Sequence, residues 1–527
     1  MNKQLIAKAV AAACATVVLL SGCGGAGEDS ASGESQTLNI GSQMSSFPSL
    51  DTGAITSAGY EGQRLIGNLV YEGLTKRDVS DPDAPAGVAP ALAKSWTVSD
   101  DGLNYTMQLQ EDVKFHDGDS WNADALIYNI DRYMNPDNAN YDKTLLTYYT
   151  VLNYVDHVEK LGDYEVKFVL KEPFAFFLAD LYNVYFASPK SLDADGSKGQ
   201  ATHPVGTGPF EFDSMQTNQS ITMTKNADYW GDVPKLDKIV VQLIPDASAR
   251  TAALRSGRVD WIEGAQPDDL ASLKQAGFKT TQNAFDWEWS WQLYTQEDGP
   301  LSNKQVRQAL NYAIDRETIT TDLLHGTAEP ATQFFAPASL YYDKADDTYS
   351  YDLAKAKQLL SEAGYADGFD MKVGYITAGS GAMQPKAMNE ALQAQLAKIG
   401  VTVTFEPVDF STMYGKLAEG NTGWDAANQA FSLEQPSSWA WSMGTSAEGG
   451  YFDYENPEFD KLWKQALVTT DDDERASLLT QAGKIVTDDA GWLFVAHDTA
   501  PRAMSSKVKG FVQPKSWWID FNNVSIA

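Results

Sequence analysis

The spacing of apolar and polar positions along this chain shows two periodicities, one typical of strands and one typical of helices. Residues 96–98 and 105–109 flank the sequence DDG at 100–102 and are predicted to form a hairpin with a tight turn. Alternation over 221–224 predicts a strand, and the β-branched run at 238–244 predicts a buried one. Apolar residues spaced three and four apart over 303–316 predict an amphipathic helix. Because both kinds of pattern recur over most of the length, the chain is expected to be a mixed α/β protein.

Local start and stop signals define several of these elements. Asp352 precedes a helical pattern that Gly364 ends, which is the usual arrangement of an N-cap residue and a C-terminal glycine. Another helix predicted over 385–399 reaches Gly400 and is followed by a strand at 401–405. Helix–glycine–strand units of this kind indicate layered α/β domains, and 527 residues suffice for two or three of them.

The amino-terminal pattern differs from the rest. Two lysines precede an apolar run at 9–20, which is too short for a stable membrane span and is typical of a secretory signal peptide. The sequence LSGC at 20–23 resembles the bacterial lipoprotein cleavage box, in which the cysteine becomes the first residue and carries a diacylglycerol. Residues 1–22 are therefore predicted to be removed, Cys23 to be lipidated, and 23–36 to form a flexible Gly/Ser/Glu-rich tether.

This reading of Cys23 also predicts where the protein works. The chain has two cysteines, and Cys14 would leave with the signal peptide, so a disulfide is not expected. With additional acyl chains the lipid would anchor the protein stably. We therefore expect an exported protein held at the outer face of the cytoplasmic membrane.

Composition and motifs limit the partners and activities that the protein can have. A net charge of -31 argues against nucleic acid as a partner. The five histidines show no metal-ligand spacing, and no P-loop, nucleotide-binding glycine motif or nucleophile elbow is present, so we predict no metal, no cofactor and no enzymatic activity. The absence of these motifs favours a binding protein over an enzyme. Carboxylate pairs are inevitable among 71 acidic residues, so a secreted glycosidase, which uses such a pair, remains as the alternative.

Ordered motifs along the chain carry a family resemblance. These motifs are PALAKSW at 90–96, VKFHDG at 113–118, VGTGPF at 205–210, NADYWG at 226–231 and SGRVD at 256–260. They resemble the family 5 extracellular solute-binding proteins, which are the oligopeptide, dipeptide and nickel receptors of bacterial ABC importers. The resemblance covers nearly all of the chain after the tether.

The resemblance implies a two-lobed periplasmic-binding-protein fold of type II with an extra α/β domain. It places lobe I at 37–57, 196–283 and 497–527, the extra domain at 58–195, and lobe II at 284–496. A monomer would bind its solute between the lobes, close on it by a hinge motion, and present it to permease subunits that work with cytoplasmic ATPases.

One motif bears on the solute. In the peptide-binding members, Trp-x-x-Asp-x-x-x-Pro supplies a carboxylate for the α-amino group of the peptide. Aligned on Pro436, this chain has Gln429 at the Trp position and Ser432 at the Asp position. A serine hydroxyl cannot balance a buried ammonium, so Glu434 is the predicted substitute, and Ser432 and Glu434 are candidate ligand-binding residues.

Tryptophans supply the other candidates. Trp287, Trp289 and Trp291 alternate, so they share one face of a strand, and Trp439 and Trp441 alternate after the altered motif. At least one of the five is expected to line the cleft, where indole rings suit both sugar faces and peptide side chains. The first hypothesis is therefore a peptide receptor and the alternative is a receptor for an oligosaccharide or another neutral polyol. The few histidines argue against a nickel receptor.

Overall fold

Two large β-sheets organise the chain. The computed structural model describes residues 36–527 except 59, 144, 146–148, 296–297, 347, 421 and 440–453, so the predicted signal peptide and Cys23 lie outside the described residues. The first sheet has seven strands, in the order Lys279–Thr281, Arg502–Met504, Trp261–Glu263, Thr37–Ser42, Lys238–Leu243, Ser220–Lys225 and Phe210–Gln216. We call the part of the chain built on this sheet lobe I.

The centre of lobe I is parallel and its ends are antiparallel. The strand Thr37–Ser42 pairs in parallel with Lys238–Leu243 on one side and with Trp261–Glu263 on the other. On Lys238–Leu243, Ile239 and Val241 are buried while the intervening residues are half-buried. This strand is less buried than its branched residues predict, because burial depends on the layer that covers each face and the pattern does not show that layer.

The second sheet has six strands. Their order is Ala328–Pro330, Trp492–Asp498, Trp287–Leu293, Ala426–Ser432, Phe369–Ile376 and Val401–Val408. Every residue of the two strands Trp287–Leu293 and Trp492–Asp498 is buried. Both faces of these strands are therefore covered, and we call the part of the chain built on this sheet lobe II.

A smaller antiparallel layer lies between the first two strands of lobe I in the sequence order. Its four strands, in spatial order, are Ala93–Val98, Asn104–Leu109, Glu165–Leu170 and Val155–Gly162. The first two strands form a tight hairpin in which Gly102 has a φ of 69° and its N–H donates to the carbonyl of Ser99 at 2.8 Å. A two-stranded hairpin of Thr75–Asp78 and Gly87–Pro90 lies beside this layer in sequence.

Helices fill the layers around the sheets. The longer ones are Ala123–Met134, Pro189–Gln200, Ala247–Arg255, Pro267–Gln275, Lys304–Tyr312, Leu353–Glu362, Pro385–Leu396, Phe410–Glu419, Pro457–Val468 and Asp472–Asp488. Asp352 caps its helix as predicted by accepting from the N–H of Lys355 at 2.9 Å, an interaction worth about 1 kcal/mol. Gly364 and Gly400 have φ values of 87° and 84°, which the predicted helix ends require.

One predicted helix is shorter than expected. The pattern over 303–316 predicts a continuous helix, whereas the helix ends at Tyr312 and a new short turn begins at Arg316. The guanidinium of Arg316 donates to the carbonyls of Asn311 at 3.0 Å and Ile314 at 3.2 Å. This buried side chain thus satisfies carbonyls that the helix leaves free where it ends, one turn earlier than predicted.

The four-stranded layer and lobe II share a buried cluster. Apolar residues of the four-stranded layer and of the six-stranded sheet belong to one continuous core, whereas the sheet of lobe I has its own. The N–H of Ala175 donates to the carbonyl of Leu467 at 2.7 Å across this contact.

Within the described residues, no helix combines the length and the apolar character needed to cross a bilayer. The predicted domain boundaries stay a prediction.

Candidate ligand-binding cleft

Two neighbouring segments carry the chain between the lobes. Residues 282–286 join the strand Lys279–Thr281 to Trp287–Leu293, and residues 499–501 join Trp492–Asp498 to Arg502–Met504. The strands at both ends of these segments are antiparallel neighbours, so the two connections run side by side. A pair of short adjacent connections is the usual form of a hinge between lobes.

A cavity lies next to the hinge, between the lobes. Lobe I contributes charged and aromatic side chains, and lobe II contributes Thr327, Met383, Gln384 and Asp498. The cavity offers about 30 Å³ to the centre of a water-sized sphere, within about 470 Å³ of empty space that includes open solvent. One water needs roughly 10–15 Å³ on this measure. A solute larger than a few waters therefore requires the lobes to separate before it can enter.

Arg64 is one of the two guanidinium groups in the cavity wall. The resemblance places it in the extra domain, but its neighbours Leu65 and Ile66 belong to the core of the lobe I sheet, so we count it with lobe I. It forms ion pairs with Glu263 and, at 3.6 Å, with Glu61. Its Nη1 donates to the carbonyl oxygen of Trp517 at 3.2 Å, and its guanidinium carbon lies 3.9 Å from the centre of the Trp517 ring. Two carboxylates and an indole thus hold Arg64 in the wall of the cavity, where its charge is balanced.

Glu263 and Glu61 extend this polar wall. Glu263 Oε1 accepts from Ser42 Oγ at 2.9 Å and from the N–H of Gln43 at 3.0 Å. Glu61 accepts from Gln43 Nε2 at 2.7 Å and, across the lobes, from the hydroxyl of Ser380. Burial raises the pKa of Glu61, while Arg64 opposes that rise. The Glu61–Ser380 hydrogen bond therefore couples the two lobes directly.

Arg502 and Asp498 lie at the two ends of one hinge segment. Arg502 Nη2 donates to the carbonyl oxygen of Trp517 at 3.4 Å, the same atom that Arg64 uses. Asp498 Oδ1 accepts from the N–H of Ala500 at 2.9 Å, and burial raises the pKa of Asp498 to about 6. The cavity wall thus carries a carboxylate from lobe II and two guanidinium groups from lobe I.

The alternating tryptophans share one face, as predicted. Trp289 Nε1 donates to the carbonyl of Ala382 at 3.3 Å, and Trp291 Nε1 donates to Asn389 Oδ1 at 2.7 Å, so both pack inside lobe II. Trp287 lies at the lobe boundary, where it stacks on Trp517 with ring centres 4.7 Å apart. Of the three, Trp287 comes nearest to the cavity, because Trp517 is part of the cavity wall.

The altered peptide motif lies at the edge of lobe II. Ser432 ends the strand Ala426–Ser432 and is buried. Glu434 is engaged on both oxygens: Oε1 accepts from the N–H of Trp517 at 3.0 Å and Oε2 accepts from Ser516 Oγ at 2.8 Å. Burial raises the pKa of Glu434, while Arg77 opposes that rise. Its carboxylate therefore links lobe II to the carboxyl-terminal segment of lobe I.

The remaining predicted residues lie away from the cavity or outside the described chain. Trp439 is buried among the rings of Phe334, Phe335 and Tyr341, with centres 5.2–6.1 Å away. Trp441 belongs to the undescribed segment 440–453. Contact of Trp287, Trp289, Trp291, Ser432, Glu434, Trp439 or Trp441 with a solute stays a prediction.

Sequence reasoning missed Arg64, Asp498, Arg502 and the role of Trp517. The sequence contains a signal for two of them, because Asp498 and Arg502 are charged residues in the mostly apolar stretch 491–504, near the predicted end of lobe II. Buried charges in such a run are candidates for function, since burying them without a role is costly. Among the described residues, no group of three or more His, Cys, Asp and Glu side chains could hold a metal ion.

Two lobes, a hinge of paired segments and a charged cavity between the lobes define a binding protein of the two-lobed periplasmic type. The family model of bacterial extracellular solute-binding proteins, family 5, matches residues 87–451, so the chain belongs to this family. The resemblance found in the sequence motifs is confirmed.

Individual relatives agree with this assignment. Heme-binding protein A of Haemophilus influenzae is 33% identical over 464 residues, covering 83% of this chain and 84% of the relative. The glutathione-binding protein GsiB of Pectobacterium atrosepticum is 32% identical over 437 residues, covering 80% and 82%. The ABC transporter-associated periplasmic binding protein DppA of Helicobacter pylori, solved with the peptide STSA, superposes with a TM-score of 0.82 at 27% identity, covering 93% and 98%.

These similarities confirm the type II fold and the transport role. The chain is a solute-binding protein of an ABC importer, and its relatives are transport receptors, not enzymes. The alternative of a secreted glycosidase is therefore removed.

Proposed function

We propose that this receptor binds a short peptide or peptide-like solute between its lobes and delivers it, as a monomer, to the importer. The observation that carries this proposal is the mixed charge of the cavity wall, where Arg64 is paired with Glu263, and where Arg502 and Asp498 carry opposite charges without an ion pair among the described residues. A zwitterionic solute matches a wall of both signs, because each buried charge can then be paired. A neutral solute would leave the charges of Arg502 and Asp498 without an ionic partner.

Asp498 is our proposed partner for the ammonium group of the solute. It lines the cavity, and its hydrogen bond to Ala500 leaves acceptor capacity on the carboxylate. Ser432 cannot replace the missing acid of the family motif, and the hydrogen bonds of Glu434 to Ser516 and Trp517 favour a positioning role for that residue. Asp498 would thus supply from the hinge the negative charge that the motif lacks.

The second candidate is a receptor for an oligosaccharide or another neutral polyol. The indole of Trp517 in the cavity wall favours it, together with the adjacent Trp287, because flat rings suit the faces of sugars. We rank it second, since the ring of Trp517 already stacks on Trp287 and lies under the guanidinium of Arg64.

We also propose that the protein is exported and anchored through a lipid on Cys23. The support is the signal-like run at 9–20, the LSGC sequence at 20–23 and the tether that follows. A receptor that is held near its permease by a flexible tether meets it at high effective concentration.

Ligand screening tests the proposed solute class. The melting temperature of the purified protein is measured with a set of dipeptides to tetrapeptides, with glutathione and heme, and with neutral oligosaccharides of matched size. A ligand at one hundred times its Kd stabilises the folded state by about 2.7 kcal/mol. We expect peptides to raise the melting temperature and oligosaccharides to leave it unchanged. The reverse result favours the second candidate, and no response to any peptide contradicts the proposal.

A further inference from the structure

Arg502 is a buried cation with few hydrogen-bond acceptors around its guanidinium. Its side chain is 1% exposed, and Nη2 makes a long hydrogen bond of 3.4 Å to the carbonyl of Trp517. Neither Nε nor Nη1 has a hydrogen-bond partner among the described residues. The guanidinium carbon lies 5.8–6.0 Å from the ring centres of Trp261, Phe511 and Trp517. The charges of Glu263 and Asp498 act on Arg502, but neither of these two carboxylates forms an ion pair with it. Burial and the nearby Arg64 lower the pKa of Arg502 to about 9, which still leaves it charged at neutral pH.

Three other buried arginines of this chain bind protein carboxylates or carbonyls. Arg132 forms an ion pair with Asp51, and Arg307 forms one with Asp489. Arg250 carries no ion pair of this kind, but its nitrogens donate to four backbone carbonyls. Arg77 also has two buried nitrogens, Nε and Nη2, without a hydrogen-bond partner among the described residues, but Arg77 does not line the cavity. Of the two arginines in the cavity wall, Arg64 is ion-paired with Glu263 and Arg502 has the fewer acceptors.

In the described part of the cavity wall, the buried side-chain atoms without a hydrogen-bond partner are all donors. Among the described residues that line the cavity, they are Nε of Arg64, Nε and Nη1 of Arg502, and Nε1 of Trp517. A group that satisfies these atoms must accept hydrogen bonds. Because one of the donors carries a charge that the protein does not pair directly, the fitting acceptor is an anion.

We propose that Arg502 binds a carboxylate of the solute, so that the receptor selects peptides with a free carboxyl terminus over neutral derivatives of the same peptides. The planar guanidinium suits the two oxygens of a carboxylate, and its one hydrogen bond, from Nη2 to the Trp517 carbonyl, leaves most of its N–H groups available to a solute. This inference rests on the proposed peptide function and names the group by which the solute is recognised.

Paired peptides test the proposal. Affinities are measured by calorimetry for a set of tripeptides as free acids and for the same tripeptides as C-terminal amides. The proteins are the wild type, Arg502→Gln, Arg502→Lys and the control Arg258→Gln, in which an exposed lobe I arginine bonded to Gln242 is replaced. We expect the wild type and the control to prefer the acids by roughly 30-fold or more, which is typical of a buried charge pair.

Arg502→Gln should bind acids and amides alike, and Arg502→Lys should retain part of the preference. Without solute, the melting temperature of Arg502→Gln should equal or exceed that of the wild type, because a buried unpaired charge has been removed. Equal binding of acids and amides by the wild type, or full acid preference in Arg502→Gln, overturns the role of Arg502 while leaving a peptide receptor intact. If no tripeptide of either set binds the wild type, the peptide function itself fails, and this inference fails with it.

Discussion

Replacement of Glu434 by glutamine separates a ligand-binding carboxylate from a structural one. Glu434 accepts hydrogen bonds from the N–H of Trp517 and from Ser516 Oγ, and Ser516 Oγ in turn accepts from the N–H of Trp518 at 3.2 Å. The carbonyl oxygen of Trp517 accepts hydrogen bonds from both Arg64 and Arg502. Glu434 therefore holds the segment 516–518, and with it one wall of the cavity, against lobe II.

The contacts set the expected magnitude. Glutamine keeps one oxygen for the Trp517 N–H, and its NH2 can donate to Ser516 Oγ, so the change costs about 1 kcal/mol or less and an affinity loss below tenfold. Glu434→Ala removes both acceptors and leaves the Trp517 N–H without a partner, which costs roughly 1–3 kcal/mol for that group alone. If Glu434 instead pairs with the ammonium of the solute, Glu434→Gln costs on the order of 3–5 kcal/mol, which is a hundredfold or more in Kd.

Calorimetry with a free-amine tripeptide and its N-acetyl derivative distinguishes these cases. We expect Glu434→Gln to keep the wild-type preference for the free amine and Asp498→Asn to lose it. Glu434→Ala should weaken both peptides equally and lower the melting temperature. A hundredfold loss in Glu434→Gln that is confined to the free amine, with Asp498→Asn unchanged, would refute the positioning role and restore Glu434 as the ammonium partner.

Three further predictions concern the pH dependence, the anchor and the hinge. Burial raises the pKa of Asp286 to about 7, so the folded protein keeps a proton that the unfolded chain releases near pH 4, and stability falls as the pH rises between these values. Relative to the wild type, Asp286→Asn should gain roughly 4 kcal/mol between pH 4 and pH 8 in denaturant titrations; a constant difference would contradict this assignment. Cys23→Ser should release the protein from the membrane fraction without changing the affinity for peptide, and wild-type retention would exclude the lipid anchor. Saturating peptide should reduce the radius of gyration in solution scattering, because entry requires separated lobes, and an unchanged profile with bound peptide would argue against hinge closure.

Elements defined by neighbouring residues could be predicted from the sequence. The Asp352 cap, the left-handed glycines at 364 and 400, and the hairpin turn at Gly102 each depend on contacts within a few residues, so the local pattern contains all the necessary information. The shared face of Trp287, Trp289 and Trp291 follows in the same way from the two-residue period of a strand. The family motifs extended this local information to the class of protein.

Only the tertiary structure decided what lies beside those elements. The covering layer buries Trp289 and Trp291 against Ala382 and Asn389, while Trp287 reaches the lobe boundary, and the strand pattern is identical in both situations. Arg64 and Arg502 are separated by most of the chain, yet both donate to the carbonyl of Trp517. The order of strands in the sheet of lobe I and the return of the chain through the hinge bring them together. A local sequence pattern cannot predict this contact, because it depends on which distant strands pair.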